Sequence, residues 1–425
     1  MPLFREFSPE VRRVLQVDVV AALLLTGFSS LTGPFTGLIL RTELGASPFQ
    51  LSVMASANAA FMLSSLLWAR MVEGRSPLPW VVWAGFVGRG LFLLVPFVHS
   101  AWQLVAVLVA ANLLGTIAAP AGAMLVERMY PREQRGRALG LVRSAGALPG
   151  IVLAVGGGKL LGVVPYQWAF ALAAVLGMSA SLQLSRVPLP VRAEPRRPAR
   201  PALSAAWADL RDDADFRRLM LAACVFGTAI WIQMPARPVL MADVLKVTTA
   251  QAGMFAAGAA VAGLAGHAVW GRLADRWGSL PALRLVYCVG AVTPIVEFFA
   301  TRPGVLAVTA VTESLMTTGL DLLMTLALIE VAGRRSTARF AAVAATLGGL
   351  RGVLAPLAGA ALIEHAGVRA VSVVAAALMV AGAALLTWQV RSTSGGASGR
   401  SLQQQSCAGR ACARAAGRAR QGRGL

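Results

Sequence analysis

Charged side chains are scarce in this chain: Asp, Glu, Lys and Arg together make up 14% of it, where soluble domains carry about a quarter. Hydrophobic residues reach 57% and the mean hydropathy is +0.67. A water-soluble core cannot hide that much apolar surface, so the soluble globular classes are excluded. Histidine is nearly absent, with 3 residues in the chain, which argues against a catalytic or metal-holding cluster. Cysteine numbers 4 and builds no disulfide framework. Cys224 and Cys288 fall in apolar runs, where they serve as small soft hydrophobes. Cys407 and Cys412 sit in an Arg/Gly/Ala-rich tail with no second ligand pair, so no metal site is expected.

What the chain has instead is a succession of apolar runs of about 20 residues or more, each able to cross a hydrocarbon layer of about 30 Å. Twelve are legible: 15 to 39, 50 to 70, 78 to 98, 102 to 126, 138 to 161 and 166 to 186, then 218 to 241, 250 to 270, 281 to 300, 304 to 330, 339 to 362 and 368 to 390. They lack the strict alternation of barrel strands and therefore read as lipid-spanning helices. Many of the 43 glycines lie inside them, and in lipid small residues let helix backbones approach closely. The expected fold class is all-α integral membrane, with twelve transmembrane helices in two six-helix halves.

Positive charge falls on alternate loops. Arg12 and Arg13 precede the first run, Arg70 and Arg75 follow the second, and Arg128, Arg132, Arg135 and Arg137 lie between the fourth and fifth. The same side carries the linker arginines, Arg272, Arg276, Arg334, Arg335 and Arg339. The other side holds only scattered charges such as Arg41, Lys159, Lys246, Arg302 and Arg369. The positive-inside rule puts both termini in the cytoplasm and predicts a multi-pass protein of the cell (inner) membrane. The net charge of +20 then reports topology, and no nucleic-acid partner is expected. At the start, Ser8 is placed to cap a helix, Pro9 suits its first position and Glu10 favours its positive end. The first apolar run is too long for a signal peptide core and is retained.

Five segments follow: a cytoplasmic N-terminal stretch over 1–14, a first half over 15–186, a linker over 187–216, a second half over 217–391 and a basic, disordered tail over 392–425. The linker opens with Pro188, Pro190, Pro195, Pro198 and Pro201, a stiff extended spacer. It continues into a possible amphipathic surface helix with Trp207 and Leu210 facing lipid.

One polar segment occurs twice. Trp68 to Pro79 reads W-A-R-M-V-E-G-R-S-P-L-P and Trp270 to Pro281 reads W-G-R-L-A-D-R-W-G-S-L-P, at an offset of 270 − 68 = 202. A repeat at about half the chain length, between apolar runs, marks a membrane protein built from two parallel halves. Gly271-Arg272-Leu273-Ala274-Asp275-Arg276-Trp277-Gly278 resembles the loop signature of the major facilitator superfamily, G-x-L-A-D-R-x-G. Ser279 and Leu280 depart from that family's basic pair, and in the first copy Ala69 replaces the first glycine while Glu73 keeps the acid. Weaker echoes agree: Pro34 with Pro235, Glu127 with Glu330, and L-G-x-x-R at Leu139 to Arg143 and Leu347 to Arg351. The resemblance covers roughly residues 10 to 390. It implies a secondary transporter that works by alternating access, with Gly271, Arg272, Asp275, Arg276, Gly278, Glu73 and Arg70 as its gating loops. Asp275 would cap a facing helix, and Gly271 and Gly278 would permit a tight backbone there.

Ionisable groups inside membrane runs are functional hypotheses by default. Asp18, Glu297 and Arg143 can reach water from near the ends of their runs, and His267 reads as interfacial. Glu313 and Asp321 lie within one or two turns of the midpoint of the tenth run, eight residues apart, and are candidates for proton coupling. Arg89 and Arg351 lie deep, either to bind an anionic substrate or to pair with Glu297, Glu313 or Asp321. Asn112 is the polar residue at matching positions of the fourth run, and Trp231 and Phe28 are candidates for an apolar cavity.

Gly156-Gly157-Gly158-Lys159 lacks the spacing and the following Ser or Thr of a phosphate loop, so neither ATP drive nor any cofactor is expected. Two transport readings stay open. One is proton-coupled export of small amphipathic compounds, to which Gly146, Pro149, Gly150 and Gly156 to Gly158 add a broken likeness to an antiporter pattern. The other is movement of an anionic metabolite on Arg89, Arg351 and Arg237. A membrane-embedded enzyme is the rival from another class, and no catalytic residues are assigned. Expected partners are a small-molecule substrate, protons and the lipid bilayer, with the protein a monomer.

Overall fold

The computed structural model describes residues 7–72, 75–188, 211, 213–332 and 337–387. Among these residues every regular element is helical. The helices are α1 (Val11–Thr42), α2 (Pro48–Val72), α3 (Pro77–Phe97), α4 (Ala101–Met129), α5 (Arg132–Leu160) and α6 (Tyr166–Leu184). They continue as α7 (Ala214–Val244), α8 (Thr249–Trp277), α9 (Ser279–Phe299), α10 (Pro303–Ala332), α11 (Thr337–Ala366) and α12 (Val368–Thr387). Eleven described stretches are long and apolar enough to cross a membrane. The 25 residues of α2 span about 38 Å at 1.5 Å per residue and complete the expected twelve.

The two halves use the same plan. In the first, α1 packs on α5 and α6, α2 and α3 pack on α4, and α3 on α6. In the second, α7 packs on α11, and α8 and α9 pack on α10. The halves meet along α2 with α11 and along α5 with α8, two seams that the internal repeat exchanges. Large exposed apolar side chains such as Phe97, Trp168 and Phe299 belong to a surface that meets lipid rather than water.

Small residues set the helix separations. A Cβ on Gly27 of α1 would lie 3.0 Å from Leu176 of α6, and one on Gly382 of α12 would lie 2.8 Å from Phe226 of α7. Along α8, Ala259, Gly263, Gly266 and Trp270 form one face against α10: Ser314 Oγ donates to Ala259 O at 2.5 Å and Trp270 Nε1 to Leu315 O at 2.8 Å. The matching Trp68 turns instead to Ser64 Oγ of its own helix, at 2.9 Å. Gly319 leaves the room that the Trp270 indole occupies. The corresponding α4 residue, at 319 − 202 = 117, is Ile117.

Both half-leading helices break at the positions of the proline echo. α1 is interrupted between Thr32 and Thr36, and α7 between Gln233 and Ala236. Pro34 and Pro235 each lack an N–H and clash with the preceding turn, which interrupts the ladder. The turns that follow are also a repeat, one the sequence reading had missed. Gly45 and Lys246 both have positive φ, +61° and +50°, at an offset of 246 − 45 = 201. Ala46 N donates to Leu40 O and Val247 N to Met241 O, each at 2.8 Å. Ser47 with Gln50, and Thr248 with Gln251, then exchange side-chain and backbone bonds at the starts of α2 and α8, a capping box in each half.

Some expectations about boundaries change. Ser8 occupies the N-cap position of the first helix, whose first turn begins at Pro9 ahead of the α1 span, without a side-chain cap bond. At α7 the cap is Asp213, whose carboxylate accepts from the N–H groups of Asp215 and Phe216. The predicted signature loop is not a loop: α8 continues through Trp277 and α9 starts at Ser279. Gly278, with φ +87° and ψ 166°, makes the whole connection in a conformation open essentially to glycine alone. The predicted surface helix with Trp207 and Leu210, and the basic tail, lie outside the described residues.

Candidate functional site

Three charged side chains of the second half converge inside the membrane. Arg237, just beyond the break in α7, donates through Nε to Glu297 Oε1 of α9 at 3.0 Å and through Nη1 to Glu313 Oε2 of α10. Glu297 is 3% exposed, Glu313 35% and Arg237 27%. The cation that holds Glu313 is therefore Arg237, not the expected Arg89 or Arg351. The break at Pro235 positions it, because the chain beyond leaves the line of the first part of α7. Next to the triad, the Thr293 and Thr312 hydroxyls join α9 to α10 at 2.8 Å.

Asp321 lies eight residues along α10 from Glu313, about 80° around the helix. It is exposed, with Thr317 exposed between the two, and its carboxylate has no partner among the described residues. Asn112 on α4 is likewise exposed. Asp18 is joined to Tyr130, whose hydroxyl donates to its Oδ2 at 2.7 Å. Burial first, and the Asp18 charge second, push the Tyr130 phenol well above its ordinary range, so it stays a donor.

The deep arginines are tied into helix packing. Arg89 Nη1 donates to Ser181 Oγ at 2.6 Å and to Gly177 O at 3.3 Å, in a groove that a Cβ on Gly177 would fill. Arg351 Nη1 donates to Ala223 O at 2.5 Å and lies over Gly227. Neither pairs with an acid among the described residues, so the expected pairings with Glu297, Glu313 or Asp321 are corrected. Both follow one rule: a guanidinium in the membrane seeks a carbonyl, and a glycine opposite makes room for it.

A cavity of about 510 Å³ lies between α1, α5 and α8. Its walls are mostly small or apolar, with Leu25, Ala147 and Ala260 among them, and Thr26, Ser29 and Ser30 supply hydroxyls. Arg143 is the one charged residue among its described lining residues. Exposed and lining the cavity between α1, α5 and α8, Arg143 is the cavity's cation.

On the face opposite the linker the halves touch closely. Arg41 Nη2 meets Asp243 Oδ2 at 2.6 Å, with Arg41 Nε on both carboxylate oxygens. A Cβ on Gly37 would lie 2.7 Å from Pro238, one on Gly158 2.5 Å from Thr249 O, and one on Gly253 2.4 Å from Ala154 O. Gly158, the last glycine of the run that failed as a phosphate loop, thus lies at a seam between halves. Nearer the middle, Ser56 Oγ donates to Val353 O at 2.8 Å. Trp231 and Ala59 flank Gly352, whose Cβ would lie 3.0 Å from the indole and 2.5 Å from Ala59.

The Major Facilitator Superfamily model matches residues 19–293 and 219–419. The chain belongs to this superfamily. It is a family of secondary transporters, and the fold is that of a transporter. No curated protein matches the sequence. Solved structures show the same fold at low identity. A bacterial homologue of the human lysosomal transporter Spinster, in an inward-facing and occupied conformation, is similar with a TM-score of 0.67 and 15% identity, over 91% of this chain and 98% of that one. A mutant form of the nucleoside transporter NupG is similar with a TM-score of 0.73 and 11% identity, over 88% of this chain and 99% of that one.

Within the superfamily fold, the signature residues divide. Arg272, Asp275 and Arg276 are exposed at the end of α8, and Asp275 has no partner among the described residues, so the expected cap on a facing helix is not made here. Gly278 makes its turn at positive φ, while a Cβ on Gly271 would meet nothing within 4 Å. Ser279, a departure from the family pattern, donates to Glu330 and so links the start of α9 to the end of α10. Glu73 and the side chain of Arg70 lie outside the described residues. Trp231 lies against Gly352 of α11, next to the seam between halves. Arg237 was a candidate for an anionic substrate, and the signal that could have pointed to its pairing with the acids was its place two residues after Pro235, the proline matched to Pro34.

Proposed function

We propose that this transporter exports small amphipathic compounds in exchange for protons, from an inner cell membrane in which both termini are cytoplasmic, and that it works as a monomer. The observation that carries the coupling is the triad of Arg237, Glu297 and Glu313. Two carboxylates against one guanidinium leave one negative charge in the membrane, and one proton cancels it. Low polarity favours the neutral cluster, so proton uptake and release there can be tied to movement. Asp321, exposed on the same side of α10 and about 12 Å nearer the linker face at 1.5 Å per residue, is suited to pass that proton on. The small, apolar walls of the α1–α5–α8 cavity suit an amphipathic solute.

Contacts at Arg41–Asp243, Gly37–Pro238 and Gly158–Thr249 close the face opposite the linker, and under the positive-inside orientation that is an inward-facing state. Asp275 is then free to engage when the linker face closes, which is the gating role assigned to it. A second reading, movement of an anionic metabolite, rests on Arg143, since Arg89, Arg351 and Arg237 are all engaged elsewhere.

The test is flux in proteoliposomes with an imposed pH gradient, screened over amphipathic and anionic solutes. Gradient-driven accumulation of an amphipathic solute, chemically unchanged, that Glu313→Gln and Asp321→Asn abolish while exchange persists is the expected result. Accumulation unaffected by both substitutions removes the coupling. Loss of transport with Arg143→Gln, confined to anions, selects the second reading, and chemical conversion of the solute would indicate an enzyme.

A further inference from the structure

A second groove, of about 370 Å³, runs between the start of α1 and the end of α6 at the linker face. Arg13, Gln16, Gln183 and Arg186 form its polar end, and Val17 and Val20 its apolar floor. No carboxylate is among its described lining residues. Arg186 Nη1 donates to Gln183 Oε1 at 3.1 Å, a neutral partner, and no acid among the described residues pairs with the guanidinium. Arg13 and Arg186 are exposed, as is Val20 at 43%. Residues 13 and 20 are seven apart, so the floor lies about 10 Å deeper along α1 than the first guanidinium.

We propose that this groove binds the headgroup of an anionic phospholipid, with the phosphodiester between Arg13 and Arg186 and the start of an acyl chain along Val17 and Val20. Arginine forks match phosphate oxygens in geometry and keep their charge at any accessible pH. The Gln16 and Gln183 amides can serve a glycerol or ester oxygen. The volume equals that of about a dozen waters at about 30 Å³ each, ample for a phosphodiester. Two cations and no acid among the described lining residues favour an anionic headgroup over choline, whose ammonium would face Arg13 and Arg186. The start of α1 contributes partial positive charge and the end of α6 partial negative charge, so the guanidinium pair decides the sign. A polar end at the helix termini above an apolar floor is the profile of a lipid leaflet rather than of a soluble anion.

The test is native mass spectrometry of the purified full chain titrated with phosphatidylglycerol, phosphatidylcholine or inorganic phosphate. Phosphatidylglycerol is expected to give a saturable adduct, with phosphatidylcholine clearly weaker. Replacing both arginines, Arg13→Gln with Arg186→Gln, should weaken the adduct about thirtyfold, and either alone about fivefold. The single variants keep the test open should the double variant fail to fold. Arg284→Gln, an exposed arginine elsewhere on the same face, should leave the adduct intact. The proposal is overturned if the double variant binds like wild type, if Arg284→Gln weakens the adduct equally, if phosphatidylcholine binds as tightly, or if millimolar inorganic phosphate displaces the lipid and so identifies a free-anion site.

Discussion

Arg41 of the first half and Asp243 of the second meet at 2.6 Å across the face opposite the linker, 202 residues apart in the sequence. That separation equals the 202-residue offset of the repeat and is one more than the 201 of the nearby proline and turn pairs, so near-equivalent positions of the two halves pair with each other. The proline breaks carry these helix ends inward, and Gly37 lets Pro238 approach beneath them.

Opening of that face should respond to this pair. With side chains 25% and 40% exposed, the pair contributes at most about 1 kcal/mol, a shift of up to about fivefold in a two-state equilibrium. Asp243→Asn should raise the labelling rate of a cysteine placed at Ala46 by a few-fold from the opposite face. Exchanging the two charges should restore the wild-type rate, and failure to restore it would assign the effect to something other than this pair.

The triad should be far more sensitive than the surface pair. Arg237→Met strands Glu297, which is 3% exposed, and removal of one partner from a buried pair costs about 3–5 kcal/mol. The thermal midpoint in detergent should fall markedly. Adding Glu297→Gln and Glu313→Gln to Arg237→Met should recover most of the loss, because no charge is then left in the membrane.

Asp275→Asn should separate folding from transport. The side chain is exposed with no partner among the described residues, so stability should stay within about 0.5 kcal/mol of wild type. Flux should nevertheless drop if the carboxylate engages a facing helix when the linker face closes. Flux equal to wild type would make the end of α8 a passive terminus.

Two backbone positions predict opposite shifts. Lys246 stands at φ +50° where the matching residue is Gly45, so Lys246→Gly should stabilise by about 1 kcal/mol. Gly278→Ala must place a Cβ at φ +87° and should destabilise by about 1–3 kcal/mol. Thermal unfolding of the two variants against wild type checks both signs.

The sequence by itself determined the lipid-spanning helices, the division into halves, and the family. These follow from local quantities: run length against bilayer thickness, alternation of arginine between loops, and a repeat that carries W-x-R-x-x-[DE] twice. The turn repeat L-x-x-[ST]-x-x-Q was equally present at Leu44 to Gln50 and Leu245 to Gln251, and its capping chemistry made it readable. Only the tertiary structure decided which charges meet. Arg89, Arg237 and Arg351 are alike in sequence context, each an arginine in an apolar run. Their fates diverge because Gly177 and Gly227 open grooves to backbone carbonyls for two of them, while the break at Pro235 carries the third towards Glu297 and Glu313. Glu313 was legible as an intramembrane acid, but its partner was not, because a buried ion pair is set by distances between helices 60 to 76 residues apart, and no local pattern encodes those distances.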